Sequence, residues 1–483
     1  MVAAPGESLP TTKRPGRLCA LQAGTMLLWM GLPGGLWAQQ VPATMSLPAQ
    51  GAGAIQAPGA APAASQPSRL TLRDAVALAL TSNLGVRVAD TQVKEAAGTE
   101  ERKKAALLPR VKNADFTNLQ DRNLRAFGFS FPGVPLTTGL FGTYDFRVLA
   151  DQPIVDREAY HTFQSSKRQQ DAAKLTYQDT RDLVVRQAAG YYLDAQAAAA
   201  EVEAADSRVK TSRALERLAR DQHAAGLATR VDLLRSQVQL QRDQQNLLVA
   251  RDTYQTALLT LQRYLGVRPG APLELAEKLE FHAAELPQPD EALPPALEAR
   301  ADYRSLAAQR QALVEQQKAA HARYLPKLSI NGDYGAFGRN FGEMPGVGQV
   351  QGTVTFTIFD RDRNGEVKET ASRIERIDAQ IADLERGIRQ ELHKAILDLD
   401  SAAQQVSVTK AGVDLAQEEL KLAEDRFRNG VTDNIEVITA QSSLQSAQDD
   451  YITALARHAD ARMALARAMG AGELSLGLGS PRP

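Results

Sequence analysis

One cysteine, Cys19, stands in a chain of 483 residues, and it lies in a segment that reads as a removable leader. Disulfides, thiolate catalysis and cysteine-ligated zinc are therefore excluded from a mature chain. No charge of one sign dominates: 56 basic residues face 57 acidic ones, and the net charge is −1. Without a basic field, binding to nucleic acid is excluded as a function class. Aromatics make up only 5% against 43% hydrophobic residues overall, a balance that suits long helices packed side by side better than a thick mixed core. Beyond the leader no run of 18 apolar residues occurs, so a membrane crossing would have to use strands. Catalytic and cofactor signatures are missing as well. The histidines at 161, 223, 282, 321, 393 and 458 show no metal-ligand spacing, and neither a nucleophile elbow nor a phosphate-cradling loop is present. Asp360-Arg-Asp362-Arg-Asn364-Gly365 imitates the start of a calcium loop, but position twelve is Ala371 instead of a bidentate Glu and a strand precedes it. No enzyme, metal or cofactor is expected.

The N-terminus carries Lys13, Arg14 and Arg17 ahead of an apolar stretch from Leu18 to Trp37, with the small Ala38 before Gln39. This is the pattern of an export signal over 1–38. Residues 39–67, rich in Ala, Pro, Gly and Gln, lack the bulky apolar surface needed to offset chain ordering and read as a disordered linker. Cys19 sits at the start of the apolar run, where a lipid-carrying cysteine would follow it, so no lipid anchor is expected.

The sequence repeats. Leu218–Leu240 matches Leu422–Leu444 under a shift of 204, which also carries Ile154 onto Ile358, Asp156 onto Asp360 and Gly266 onto Gly470. Upstream, Leu108-Pro109-Arg110-Val111 matches Leu325-Pro326-Lys327-Leu328 under a shift of 217, so the first copy holds 13 extra residues between Pro109 and Asp156. Each copy has the order helix, strand, connection, strand, very long helical stretch. No proline interrupts the chain between Pro153 and Pro269, or between Pro345 and Pro481. Helical runs of about 65 residues would reach ~100 Å and need lateral partners. Ile374, Ile377, Ile381, Leu384, Ile388, Leu392, Ala395 and Leu399 supply one apolar seam at three- and four-residue steps. Gly226 and Asn429-Gly430 mark turns that fold each run into an antiparallel helical hairpin. Thr71 with Asp74 caps a first helix expected to run to about Leu107.

Between the helices the apolar period falls to two. Val350, Gly352, Val354, Phe356 and Ile358 oppose Gln351, Thr353, Thr355 and Thr357; Leu328, Ile330, Gly332 and Tyr334 oppose Lys327, Ser329, Asn331 and Asp333. Tyr144, Phe146, Val148 and Ala150 oppose Asp145, Arg147 and Asp151, with Leu149 breaking the pattern. Striped segments of about ten residues match tilted membrane strands, whose polar sides would line a lumen. Four strands cannot close a barrel, so several copies of the chain would have to contribute; arithmetic alone does not choose between eight strands and twelve.

In the opening LTLRDAVALAL, the Leu-Pro before the first strand of each copy, the PIVD and TIFD junctions and the paired glycine turns, the chain resembles the TolC-type outer membrane efflux proteins over about Leu70 to Gly470. The resemblance implies a homotrimer with a 12-stranded barrel in outer membrane lipid, continued by a periplasmic α-helical barrel. It implies an exit duct working with a periplasmic adaptor and, through it, an inner membrane pump. It makes Ala225, Gly226, Leu227, Asn429, Gly430 and Val431 the hairpin tips where the adaptor docks. Glu436, its first-copy partner Asp232 and the neighbouring Asp433 become carboxylates of the periplasmic aperture, while Thr439 and Thr432 stand where the family has a second acid and a linking arginine.

The expected architecture is thus mainly α with a small β part, built as a two-fold internal repeat of coiled-coil-like helical hairpins plus four β-strands per protomer. The first repeat is expected over 68–266, with strands near 110–118 and 144–153, and an equatorial region over 267–297. The second is expected over 298–470, with strands near 327–336 and 349–359, before a tail over 471–483. The function expected is a passive outer membrane exit duct for small molecules. The alternatives are the outer membrane channel of one-step (type I) protein secretion and, in a different class, a soluble periplasmic coiled-coil scaffold.

Overall fold

The chain divides into Met1–Ala64 and Ser65–Pro483. The structure, a computed structural model, describes residues 69–472 apart from 129–131, 134 and 285. The expected signal, the linker up to residue 68 and the tail beyond residue 472 lie outside the described residues.

Each half of the second unit opens with a pair of helices. Thr71 caps α1 (Leu72–Ser82) by accepting from the Asp74 amide at 3.1 Å. The helix expected to continue to Leu107 instead breaks at Asn83, which adopts an extended conformation and caps α2 (Leu84–Lys104) by accepting from the Gly85 amide at 2.7 Å. A side chain that satisfies an amide two residues on competes with helix continuation, and this local signal was overlooked in the sequence. In the second half α5 (Pro289–Ala299) and α6 (Ala301–Ala322) are likewise separated by one extended residue, Arg300, which makes no side-chain cap. α5 thus lies across the end of the region 267–297 expected to be equatorial. Pro294 and Pro295, inside the helix, disguise α5, whose first position is taken by Pro289.

Four strands follow the shift arithmetic: β2 (Arg110–Gln120), β3 (Phe141–Val155), β5 (Lys327–Gly338) and β6 (Gly346–Thr355). They form one antiparallel sheet in the order β2-β3-β5-β6. Two-residue strands β1 (Arg69–Leu70) and β4 (Glu274–Leu275) pair separately, in parallel. β6 stops at Thr355, short of the expected 359, because no neighbouring strand pairs with its outer side in the described sheet.

The long helices are α3 (Arg157–Ala224, 68 residues) and α7 (Asp362–Arg428, 67 residues), each returning as a shorter helix, α4 (Arg230–Leu265) or α8 (Asn434–Ala468). Sixty-eight residues rise about 100 Å. Propensity alone does not hold such rods straight, so lateral burial must. One cluster packs Val76, Val184, Ala188, Tyr192, Leu261 and Leu265 with Leu70. Its counterpart packs Leu293, Ile388, Leu392, Leu399 and Leu465. Each fully buried large aliphatic side chain contributes about 1.5–3 kcal/mol. Among the described residues no helix is long and apolar enough to cross a membrane.

Candidate functional site

Two regions carry chemistry that the packing does not require. The first is one face of the sheet. Because directly opposed residues share a face, the β5–β6 pairing sets Lys327 against Thr355, Ser329 against Thr353, Asn331 against Gln351 and Asp333 against Gln349. The β3–β5 pairing adds Asp151 opposite Asn331 and Leu149 opposite Asp333. The polar residues of both halves thus share a side, and Asn331 Nδ2 donates to Thr353 Oγ1 at 3.2 Å. Thr357 is the exception. It lies past the end of β6, and its backbone carbonyl accepts from Arg363 Nη2 at 3.0 Å.

Side chains absent from the expected lining complete this face. Arg147 Nε donates to Asp145 at 2.6 Å and Nη1 to Asp333 at 2.9 Å, a bridge from β3 to β5. Asp145 is buried. The polar period in the sequence contained this signal, but the pairing partner of β3 cannot be read from one strand. The opposite face carries Val148, Ile330, Tyr334, Val350 and Val354, all exposed. Tyr334 lies across Gly346 and Gly348, whose missing side chains leave room for its ring.

At the helix end of the sheet, Lys327 Nζ reaches Glu158 at 2.6 Å and Asp156 at 3.4 Å. Arg323 meets Glu158, Asp360, Asp362 and Glu366.

The second region is the pair of hairpin tips. Gly226 and Gly430 have φ of 75° and 72°, a conformation open to glycine at no steric cost. In each turn the residue after the glycine donates back five positions along the chain, Leu227 to the Gln222 carbonyl at 2.8 Å and Val431 to the Arg426 carbonyl at 3.0 Å. The glycine amides bond His223 and Phe427, which completes a Schellman motif at both tips. Ala225 and Asn429 close the preceding helices, and Leu227 and Val431 project with 78% and 68% exposure. Each turn thus presents one exposed aliphatic side chain at its tip.

The acids expected at the aperture take different local roles. Asp232 forms a capping box with Thr229, accepting from its amide at 3.1 Å and from its hydroxyl at 2.6 Å, and is buried. Asp433 caps α8 by accepting from the Ile435 amide at 3.2 Å. Glu436 bonds Arg426 at 2.7 Å and accepts from Thr432 with its other oxygen.

Two residues that sequence reasoning missed join the tips. Asn434, 1% exposed, donates to the Asp232 carbonyl at 3.0 Å, and Gln222 donates to the Phe427 carbonyl at 3.1 Å. Around them Leu215, Ala219, Leu420, Phe427 and Val437 form a shared apolar cluster. Burial raises the Glu424 carboxyl above the usual range despite Arg428 nearby.

A cavity of ≈ 40 Å³ lies among Ser212, Asp243, Gln441 and Gln448, room for about one water. Among the described residues no group of three His, Cys, Asp or Glu could hold a metal ion.

The family profile described as "Outer membrane efflux protein" matches residues 75–267 and 292–471. The probable efflux pump outer membrane protein TtgC of Pseudomonas putida is 25% identical over 330 residues, covering 65% of this chain and 64% of that protein. The chain thus spans under two thirds of that relative's length. The alkaline protease secretion protein AprF of Pseudomonas aeruginosa is 24% identical over 346 residues, covering 66% of this chain and 69% of that protein. Among solved structures, the outer membrane protein VceC of Vibrio cholerae superposes with a TM-score of 0.71 at 16% identity, covering 83% of this chain and 96% of that one. That likeness extends to the fold.

Proposed function

The chain belongs to the outer membrane efflux protein family and is an outer membrane protein with a periplasmic extension; from that premise we propose that it is the passive exit duct of a tripartite efflux system for small molecules. The observation that carries this reading is the open sheet, whose strands β3, β5 and β6 are mainly polar on one face and mainly apolar on the other, with strands of 10 to 15 residues and, among the described residues, both outer edges unpaired. An open edge is intolerable in lipid. Three copies would close twelve strands into a barrel with Lys327, Ser329, Asn331, Asp333, Gln351, Thr353 and Thr355 toward the lumen. The helical hairpins would continue that bore into the periplasm. Thr357, beyond the strand, falls at the inner rim.

The tips Ala225-Gly226-Leu227 and Asn429-Gly430-Val431 then offer an adaptor a rigid turn with one projecting apolar side chain each, and through the adaptor the duct meets an inner membrane pump. Of the aperture acids, Asp232 and Asp433 are tied to backbone amides. Glu436 is held only by side chains, Arg426 and Thr432, which supports it as the acid that would tune ion passage. The transport energy comes from the pump; this chain supplies wall, bore and gate.

Purified protein in a planar bilayer is expected to give a large, stable conductance; none from a folded oligomer would overturn the reading. Likeness to AprF favours a second cargo class, secreted protein. A channel-deficient host separates the two: recovered tolerance to small toxic compounds supports efflux, and recovered export of a protease alone supports secretion. Release of the chain with the soluble periplasm would instead favour the scaffold.

A further inference from the structure

We propose that the unpaired edges β2 and β6 join between copies of this chain in one defined register, and that Arg110 of one copy latches the seam against Asp360 and Asp362 of the next. This rests on the exit-duct reading for its setting and deepens it by naming the contacts between copies.

The protomer already contains one seam of this kind, where β3 of the first half meets β5 of the second. The two sequence shifts carry that seam onto the free edges. Within the chain the same shifts relate the two hairpins. The first-half hairpin sets Arg110 against Asp151 and Val111 against Ala150; shifting β2 by 217 and β3 by 204 gives Lys327 against Thr355 and Leu328 against Val354, which is the observed β5–β6 pairing. The extra residues of the first copy all fall in the connection between β2 and β3, so the strands themselves are in step.

Applied to the β3–β5 seam, the shifts turn Val148 against Tyr334 into Gly352 against Thr117, and Leu149 against Asp333 into Thr353 against Phe116. Face parity agrees: Thr117 and Gly352 both belong to the apolar side of their own hairpins. Pro153 against Ser329 and Val155 against Leu328 become Thr357 against Lys112 and Phe359 against Val111, with a bulge at Ile358 where the internal seam has one at Ile154. Phe356, Ile358 and Phe359 are 60%, 88% and 83% exposed beyond the present end of β6. In the seam they would continue the strand, as their counterparts continue β3.

The ion pairs follow the same rule. Lys327 against Asp156 and Glu158 becomes Arg110 of one copy against Asp360 and Asp362 of the next. Charge complementarity supports this. The ion pairs at the helix end join five carboxylates, Asp156, Glu158, Asp360, Asp362 and Glu366, to three cations, Lys327, Arg323 and Arg363. Arg110 is exposed and, among the described residues, takes part in no ion pair. On α2, Leu84 is 72% exposed, whereas its counterpart Ala301 is fully buried, which leaves Leu84 for the same neighbour.

The test uses the full chain carrying Cys19→Ser and two introduced cysteines, oxidised in isolated outer membranes. Gly352→Cys with Thr117→Cys, and separately Thr353→Cys with Phe116→Cys, are expected to give covalent multimers. Gly352→Cys with Leu119→Cys, displaced along one face, should give at least about tenfold less, because diagonal positions lie beyond disulfide reach. A Cβ at Gly352 meets open space. Stronger linking by the displaced pair overturns the register while leaving the duct intact. A monomer in mild detergent, without linking by any pair, overturns both. Arg110→Glu should lower the temperature at which multimers dissociate, and adding Asp362→Lys should restore part of it; no restoration overturns the latch.

Discussion

The two hairpin tips share a backbone and differ in chemistry. Both use a glycine at positive φ followed by an exposed aliphatic residue. In the first, Asp232 is spent on its own helix, capping it with Thr229. In the second, Asp433 takes over the cap, and Glu436 is left to bond Arg426 and Thr432. The cap keeps its position, Thr229 corresponding to Asp433, but an aspartate there caps without help from the acid three residues on. The same turn is built either way, but at the second tip the acid at the third helical position bonds the side chains of Arg426 and Thr432 instead of the cap. A duplicated chain can keep one copy for structure and alter the other.

The helix breaks in the two halves show the widest energetic gap of this kind. Asn83 holds the first with one hydrogen bond. Arg300, 4% exposed, holds the second with Asp302 at 2.7 Å and Glu391 at 2.6 Å. Burial acts against the Arg300 charge, yet Asp302 and Glu391 hold its pKa above the ordinary value. Burial likewise opposes the Asp302 carboxylate, and Arg300 still keeps its pKa low. Arg300→Met should therefore cost about 3–5 kcal/mol, since two acids lose their buried partner. Asn83→Ala should cost about 1 kcal/mol, the value of a cap. Thermal unfolding of both variants in detergent checks the gap, and equal losses would mean that the breaks are equivalent.

Smaller effects separate the tips. Asp232→Ala should cost about 1 kcal/mol through the lost capping box. Glu436→Gln should cost at most about 0.5 kcal/mol, because an exposed ion pair contributes little, yet it should reduce cation preference in bilayer recordings. A change of preference in Asp232→Ala alone would reverse the assignment of roles.

What could be read from the sequence, and what could not, follows from the range of the interactions. The glycine turns, the proline-free rods and the striping of β5 and β6 are local, so periodicity and caps reveal them. Leu149 and the weak stripe of β2 obscured the first-half strands, because β2 carries Asn113 and Asp115 on the face of Val111 and Leu119. The Arg147 bridge to Asp333, 186 residues away, depends on which strands become neighbours, and no local pattern encodes that. Asn83 was legible and overlooked; Arg300 was not, since its carboxylate Glu391 lies on a different helix.

The smallest expected effect concerns a position where the halves differ in titration. Shifted by 204, Tyr254 in α4 corresponds to His458 in α8. His458 is 1% exposed, rests against Phe281 at 4.6 Å between ring centroids, and has no partner for Nδ1 among the described residues. Burial, then Arg462 on the same helix and His282 beside Phe281, lower its pKa from 6.5. Folding thus favours neutral His458 over its protonated form. Its contribution is complete above about pH 6.5 and is lost as the pH falls toward the depressed value. Tyr254 has its pKa raised by burial and then by Glu274, so it stays neutral throughout that range and contributes no acid limb. His458→Tyr, which gives the second half the residue of the first, should flatten the decline in thermal stability between neutral and mildly acidic pH. An unchanged acid limb would place the proton uptake elsewhere in the chain.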